Sequence, residues 1–141
     1  MLSAYDQLMV RLKQMKNEEK NQEKISFFLE YVPFLNHFIS HPNLVYNFDY
    51  MDDFIQFDTS MRQFCSDETY LIYRKAYQIL VNAYDQYQHY YLKFDNKDGC
   101  LLSLPQLHEC MRAYKVEHVF QAKDLIAILE PIFKAINKEL I

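Results

Sequence analysis

His37 and His41 are four residues apart, the spacing at which two imidazoles on one face of an α-helix can bind the same metal ion. Pro42 follows directly and disfavours helical geometry at His41, so the helix should end before His41. No nearby acid completes a pattern such as HExxH. We therefore predict no metal site at this pair, and the sequence indicates no other cofactor.

Acidic side chains are concentrated between residues 49 and 58, at Asp49, Asp52, Asp53 and Asp58. Paired carboxylates can transfer protons in catalysis, but an acidic run more often forms a solvated helix face or lies in the first turn of a helix. The single glycine excludes a glycine-rich phosphate loop and a GxSxG motif. These features predict a protein that is not an enzyme.

Length and composition predict a single all-α domain, residues 1–141, of five to six helices. A chain of this length, half of it apolar, can bury one hydrophobic core. It has one glycine and four prolines, whereas sheets need many tight turns that use glycine, asparagine or aspartate. Few turn residues indicate few, long elements, which are helices.

Charge and cysteine content indicate which kinds of partner and which cellular compartment to expect. The formal net charge is −4 and the basic residues form no stripe, so nucleic acid is not an expected partner. No apolar run is long enough to span a bilayer, and the charged residues near the N-terminus are not typical of a signal peptide. The three cysteines have no CxxC spacing, which favours a reducing compartment. We expect a cytoplasmic protein that does not bind membranes.

Hydrophobic periodicity and helix-breaking residues divide the chain into predicted helices. Pro33 should kink or interrupt the second helix and Pro131 the last one. The SHPN stretch at residues 40–43 should separate the second helix from the third. The predicted helices span about residues 2–16, 25–39, 49–64, 67–94, 103–116 and 119 to the end.

The long fourth helix carries tyrosines in a heptad pattern that forms one unbroken stripe with Leu80 and Phe94. The stripe either faces the core of this chain, as such stripes usually do, or forms an exposed seam for a partner helix. A buried tyrosine hydroxyl needs a hydrogen bond, so tyrosine suits interfaces with a wet edge. The six tyrosines that form this candidate partner-binding seam are Tyr70, Tyr73, Tyr77, Tyr84, Tyr87 and Tyr91.

The stretch KFDNKDGCLLSLPQL, residues 93–107, is a corner between two predicted helices. Aromatic residues precede Asp95, the apolar Leu102 is eighth when Asp95 is counted as first, and a helical pattern leaves at residues 106–114. These features resemble an EF-hand of the calmodulin and myosin light-chain kind. The resemblance covers residues 87–114, and it implies an EF-hand-like fold and a clamp on a long, basic helix.

The same corner departs from the EF-hand pattern where calcium would be bound. Asp95 is the expected acid at the first position, but Lys97 places a cation at the third and Gly99 has no side chain at the fifth. Ser103 stands at the ninth position, and Gln106 at the twelfth cannot supply a bidentate carboxylate. The resemblance therefore implies a degenerate loop that does not bind calcium.

Together these features predict a non-enzymatic protein–protein interaction module. It would be a light-chain-like adaptor or regulatory subunit that binds a helical segment of a larger protein without calcium. An alternative is a small microbial or viral helical-bundle inhibitor, of the immunity-protein or anti-sigma kind, that acts by occluding its target. A third alternative is a homo-oligomer held by the tyrosine seam.

Overall fold

The computed structural model describes residues 2–93 and 120–140, except for the side chains of Phe48 and of residues 88–93. Every regular element within these ranges is a helix, which confirms the predicted all-α fold. No described helix has both the length and the hydropathy that a membrane crossing needs. The elements are α1 (Ala4–Met15), α2 (Gln22–Ser40), a 3₁₀ helix (Pro42–Tyr46), α3 (Phe48–Gln56), α4 (Asp58–Phe64), α5 (Asp67–Lys93) and α6 (Ala122–Glu139).

Polar side chains cap the first turns of α3 and α5. The Asn47 side chain accepts a hydrogen bond from the Asp49 amide at 2.9 Å, and the Ser66 hydroxyl accepts one from the Thr69 amide at 3.3 Å. Each cap satisfies a backbone N–H that has no partner within its own helix. The Ser66 cap confirms the predicted start of the long helix, α5, which runs for 27 residues.

Two prolines lie inside helices without ending them. The sequence predicts a kink or an interruption at Pro33 and Pro131, but α2 and α6 continue through these residues, which excludes the interruption. A proline in a helix interior removes one backbone hydrogen bond and costs about 3 kcal/mol. Val32, Leu35 and Ile132, beside the two prolines, are fully buried. Burial of each such side chain stabilises by about 1.5–3 kcal/mol, which offsets the proline cost.

The prediction of one continuous helix at residues 49–64 is wrong, because α3 ends at Gln56 and a separate helix, α4, begins at Asp58. Phe57 forms the junction, and its amide donates to the carbonyl of Asp53 at 3.1 Å. The Phe57 ring packs against α2, with its centroid 4.5 Å from that of Tyr31. This contact with a distant part of the chain accompanies a break that no glycine or proline marks in the sequence.

The last helix, α6, packs against α1, α2 and α5. On the α1 side, the Arg11 side chain donates a hydrogen bond to the Asn137 side-chain oxygen at 2.6 Å. The buried side chains of α6 recur at three- and four-residue spacing, so they form the apolar stripe of an amphipathic helix. They are Leu125, Leu129, Ile132, Phe133 and Ile136.

A chain of hydrogen bonds runs through the aromatic core between α2, α5 and α3. Tyr31 and Tyr73 are fully buried. The Tyr31 hydroxyl donates to the Tyr73 hydroxyl at 3.3 Å, and the Tyr73 hydroxyl donates to the carbonyl of Phe54 at 3.1 Å. Because a buried polar group without a partner costs about 1–3 kcal/mol, this arrangement lets both phenols lie inside the core.

We expect Tyr73→Phe to lower the free energy of unfolding by about 1–3 kcal/mol, because the Tyr31 hydroxyl and the Phe54 carbonyl lose their buried partner. Tyr84→Phe is the matched control, since Tyr84 is half-buried and its hydroxyl makes no hydrogen bond to the described residues. The control should change stability by less than about 0.5 kcal/mol. Urea denaturation followed by circular dichroism measures both variants. An equal loss in the two would contradict the role of the hydrogen bonds.

Candidate partner-binding surfaces

Two tyrosines of the candidate seam lie in the core of this chain. Tyr73 is 0% and Tyr87 is 3% exposed, so neither is available to a partner in this structure. Tyr73 contacts Phe54 and Tyr31, and the Tyr87 ring packs 5.1 Å from that of Tyr46. The prediction that the whole stripe could form an exposed seam is therefore wrong for Tyr73 and Tyr87, because both are buried in the core. The side chain of Tyr91 lies outside the described residues.

Three other seam tyrosines, Tyr70, Tyr77 and Tyr84, are half-buried along the side of α5 that faces α3 and α4. We call these three the tyrosine edge. The Tyr77 ring stacks on Phe54 of α3, with centroids 5.5 Å apart. The Tyr70 hydroxyl donates to the Asp58 carboxylate of α4 at 2.9 Å. The edge therefore joins α5 to its own neighbours and presents only part of each ring to solvent.

Charged side chains cover part of the tyrosine edge. The Arg74 guanidinium lies 4.1 Å from the centroid of the Tyr77 ring and forms a 3.2 Å salt bridge with Asp58. The Arg62 guanidinium lies 5.0 Å from the centroid of Tyr70. Such contacts are each worth about 0.5–1 kcal/mol at exposed sites. Side chains of the same chain thus already contact the rings of Tyr70 and Tyr77.

Tyr84, at the other end of the edge, lies in an acidic environment. Burial raises the pKa of its phenol, and the negative charges of Asp85 and Asp52 raise it further. Asp52 accepts a hydrogen bond from the Gln56 side chain at 2.7 Å. This end of the edge therefore favours a cationic neighbour over an anionic one.

The residues of the EF-hand-like corner lie outside the described residues. This holds for every position at which the loop was compared with the EF-hand pattern: Asp95, Lys97, Gly99, Leu102, Ser103 and Gln106. The predicted absence of calcium binding thus stays a prediction from the sequence.

An apolar groove between α1, α2 and α6 is a surface that the sequence does not predict. Its volume is about 190 Å³. Phe133, which is 1% exposed, lies at its base, and Tyr5 packs edge-to-face on Phe133 at 5.7 Å. Ile126 is 43% exposed beside it. The residues that line this groove are Ser3, Ala4, Tyr5, Asn36, Ile39, Ile126, Glu130 and Phe133.

A second concavity continues the groove along α6. It shares Ser3, Ala4 and Glu130 with the groove and extends to Leu2 and Asn137. Between Ile126 and Asn137, the ends of the joint surface on α6, the helix rises about 16 Å, or three turns. Together the two concavities form one elongated surface, which we call the α1–α6 surface.

Ionisable groups with shifted pKa values in the core are kept neutral by burial. Burial raises the pKa of Tyr31 and of Tyr73. It raises that of Tyr46 to about 12, against the smaller lowering effect of the Phe120 amide, which donates to the Tyr46 hydroxyl. Burial also raises the pKa of the Cys65 thiol to about 12. These groups are protonated at neutral pH, which makes them poor bases and nucleophiles.

Among the described residues, the acidic stretch forms no cluster with other metal-ligating side chains. Asp49 lies in the first turn of α3 and Asp58 in the first turn of α4, as expected for acids near helix N-termini. In the part of the chain that the structure describes, no three His, Cys, Asp or Glu side chains are grouped so as to hold a metal ion.

Comparison with protein-family models, with curated proteins and with solved structures gives no match to this chain.

We expect the free energy of unfolding to fall as the pH rises from about 10 to 12, the ordinary and the raised pKa of Tyr46. In this range the unfolded chain loses tyrosine protons that the folded chain retains, so deprotonation favours unfolding; below it both states are protonated and the contribution is fully present. Urea unfolding at pH 8 and pH 11 measures the change. Tyr46→Phe should make the fall shallower, and an unchanged urea midpoint would contradict the assigned burial.

Proposed function

We propose that this chain is a non-enzymatic adaptor or regulatory subunit, similar in its mode of action to a light chain, which binds a helical segment of a larger protein without calcium. The observation that supports this function is the apolar groove between α1, α2 and α6, with Ile126 exposed beside it. Apolar side chains of an amphipathic helix commonly enter grooves of this kind.

The size of the groove favours a side chain over a small-molecule ligand. Pockets for cofactors and drug-sized ligands usually have volumes of roughly 300–1,000 Å³. The groove is smaller, at about 190 Å³, and its apolar lining comes from Ala4, Tyr5, Ile39, Ile126 and Phe133. One large apolar side chain, such as leucine or phenylalanine, is an occupant of suitable size and chemistry.

The length of the α1–α6 surface favours a helix over a single extended residue. A helix of three turns is about 16 Å long, and its side chains at positions i, i+3, i+4 and i+7 of one face span about 10 Å of that length. One of these residues would enter the groove, and others would pack near Leu2, which is 55% exposed. The Lys134–Glu130 salt bridge, at 2.9 Å, provides both charges for polar contacts at the rim.

We expect binding that does not need calcium because the corner at residues 93–107 lacks several calcium ligands of an EF-hand in its sequence. Lys97 and Gln106 stand where an EF-hand needs oxygen ligands with negative charge. Partner binding that required calcium would therefore need a different site.

We expect Ile126→Glu to abolish capture of the partner in a pull-down of the tagged chain from lysate of its native cells, because it places a charge beside the apolar groove. Val10→Glu is the matched control: Val10 is also exposed, at 48%, and it is on α1 but does not line the groove. The control should retain the partner. Circular dichroism checks that both variants fold, and mass spectrometry identifies the captured proteins.

The same pull-down is run with calcium and with a chelator, and the partner should be retained equally in both. Equal capture by Ile126→Glu and Val10→Glu would contradict the groove as the binding site. Capture that needs calcium would contradict the light-chain-like mechanism. A third outcome is that no partner is captured and the purified chain is an oligomer. If the double variant Tyr77→Glu, Tyr84→Glu then dissociates the oligomer, a homo-oligomer held by the tyrosine seam explains the results better.

A further inference from the structure

The two histidines that the sequence singles out are in direct contact at the end of α2. Their ring centroids are 4.4 Å apart, and the ring planes are inclined by 33°. His37 lies in the last turn of the helix and His41 is the residue that follows it, and both side chains are exposed. The helix thus ends before His41, as predicted, but this ending does not separate the two rings.

The backbone fixes the position of His41 relative to His37. The His41 amide donates to the His37 carbonyl at 3.1 Å, and the His41 carbonyl accepts from the Leu44 amide at 3.0 Å. The Tyr50 ring of α3 stacks beside His37, with centroids 6.3 Å apart. His41 is therefore held between the helix end and the following 3₁₀ helix, and His37 is supported from α3.

We propose that His37 and His41 together bind one divalent transition-metal ion of the class that imidazole prefers, namely Cu²⁺, Ni²⁺ or Zn²⁺. Nitrogen–metal distances of about 2.0–2.1 Å for two imidazoles on one ion place the ring centroids about 5 Å apart. The observed separation of 4.4 Å is close to this value.

The surroundings of the pair suit a cation with water ligands. The pair lies at the C-terminus of a 19-residue helix, where the helix dipole is negative and favours positive charge. Since the described residues provide no third protein ligand in a cluster, water completes the coordination shell of the ion. Two exposed imidazoles held close together lose little freedom on binding, which supports chelation over independent binding by each.

Titration of the untagged chain, residues 1–141, with Cu²⁺, followed by isothermal calorimetry, tests the proposal. We expect one saturable site on each chain. His37→Asn and His41→Asn should each weaken binding at least tenfold. His118→Asn, which removes an imidazole elsewhere in the sequence, is the control and should leave the affinity within twofold. The absence of saturable binding, or full affinity in either single variant of the pair, would overturn the proposal.

A second measurement does not depend on the variants. Substoichiometric Cu²⁺ broadens NMR signals of nearby nuclei, so the imidazole signals of His37 and His41 should broaden together at the lowest additions. Earlier broadening of the other histidine signals, or of only one signal of the pair, would overturn the two-histidine site.

Discussion

The hydroxyl groups of Tyr31 and Tyr73 meet inside a mostly apolar core, and this contact links α5 to α2 and, through the Phe54 carbonyl, to α3. Tyr31 donates to Tyr73, and Tyr73 donates to the Phe54 carbonyl, so one short chain of hydrogen bonds joins α2, α5 and α3. Apolar packing is tolerant of small rotations, whereas buried hydrogen bonds demand specific distances and angles. The two bonds therefore add to the apolar packing of Ala76 and Leu80 in favouring burial of this face of α5.

The orientation of α5 determines which of its tyrosines remain exposed. Tyr73 and Tyr87 point into the core, and Tyr70 and Tyr77 contact arginine and aspartate side chains of the same chain. The part of the stripe that the structure describes therefore stabilises the fold. By contrast, α6 buries Phe133 but leaves Ile126 exposed beside the groove with α1 and α2. The proposed partner-binding surface lies on α6.

Local signals in the sequence predict the helices, and tertiary contacts decide the rest. The cap at Ser66 and the break before Pro42 depend on neighbouring residues only, so both could be predicted. The turn at Phe57 accompanies a contact with Tyr31, which no local pattern reveals. The heptad spacing on α5 predicts that the helix has an apolar face. It does not predict whether residues of this chain or of another chain cover that face. The groove combines residues from three helices far apart in sequence, so periodicity could not indicate it.

The most direct test of the account is site-specific photocrosslinking in native cells, with a photoreactive phenylalanine derivative placed at residue 126 or at residue 10. Both positions are exposed to a similar extent, at 43% and 48%, but only residue 126 lines the groove. The account predicts that position 126 crosslinks to one protein, through residues of a helical segment, and that a calcium chelator does not reduce the yield. The same crosslinks from both positions, or none from position 126, would contradict it.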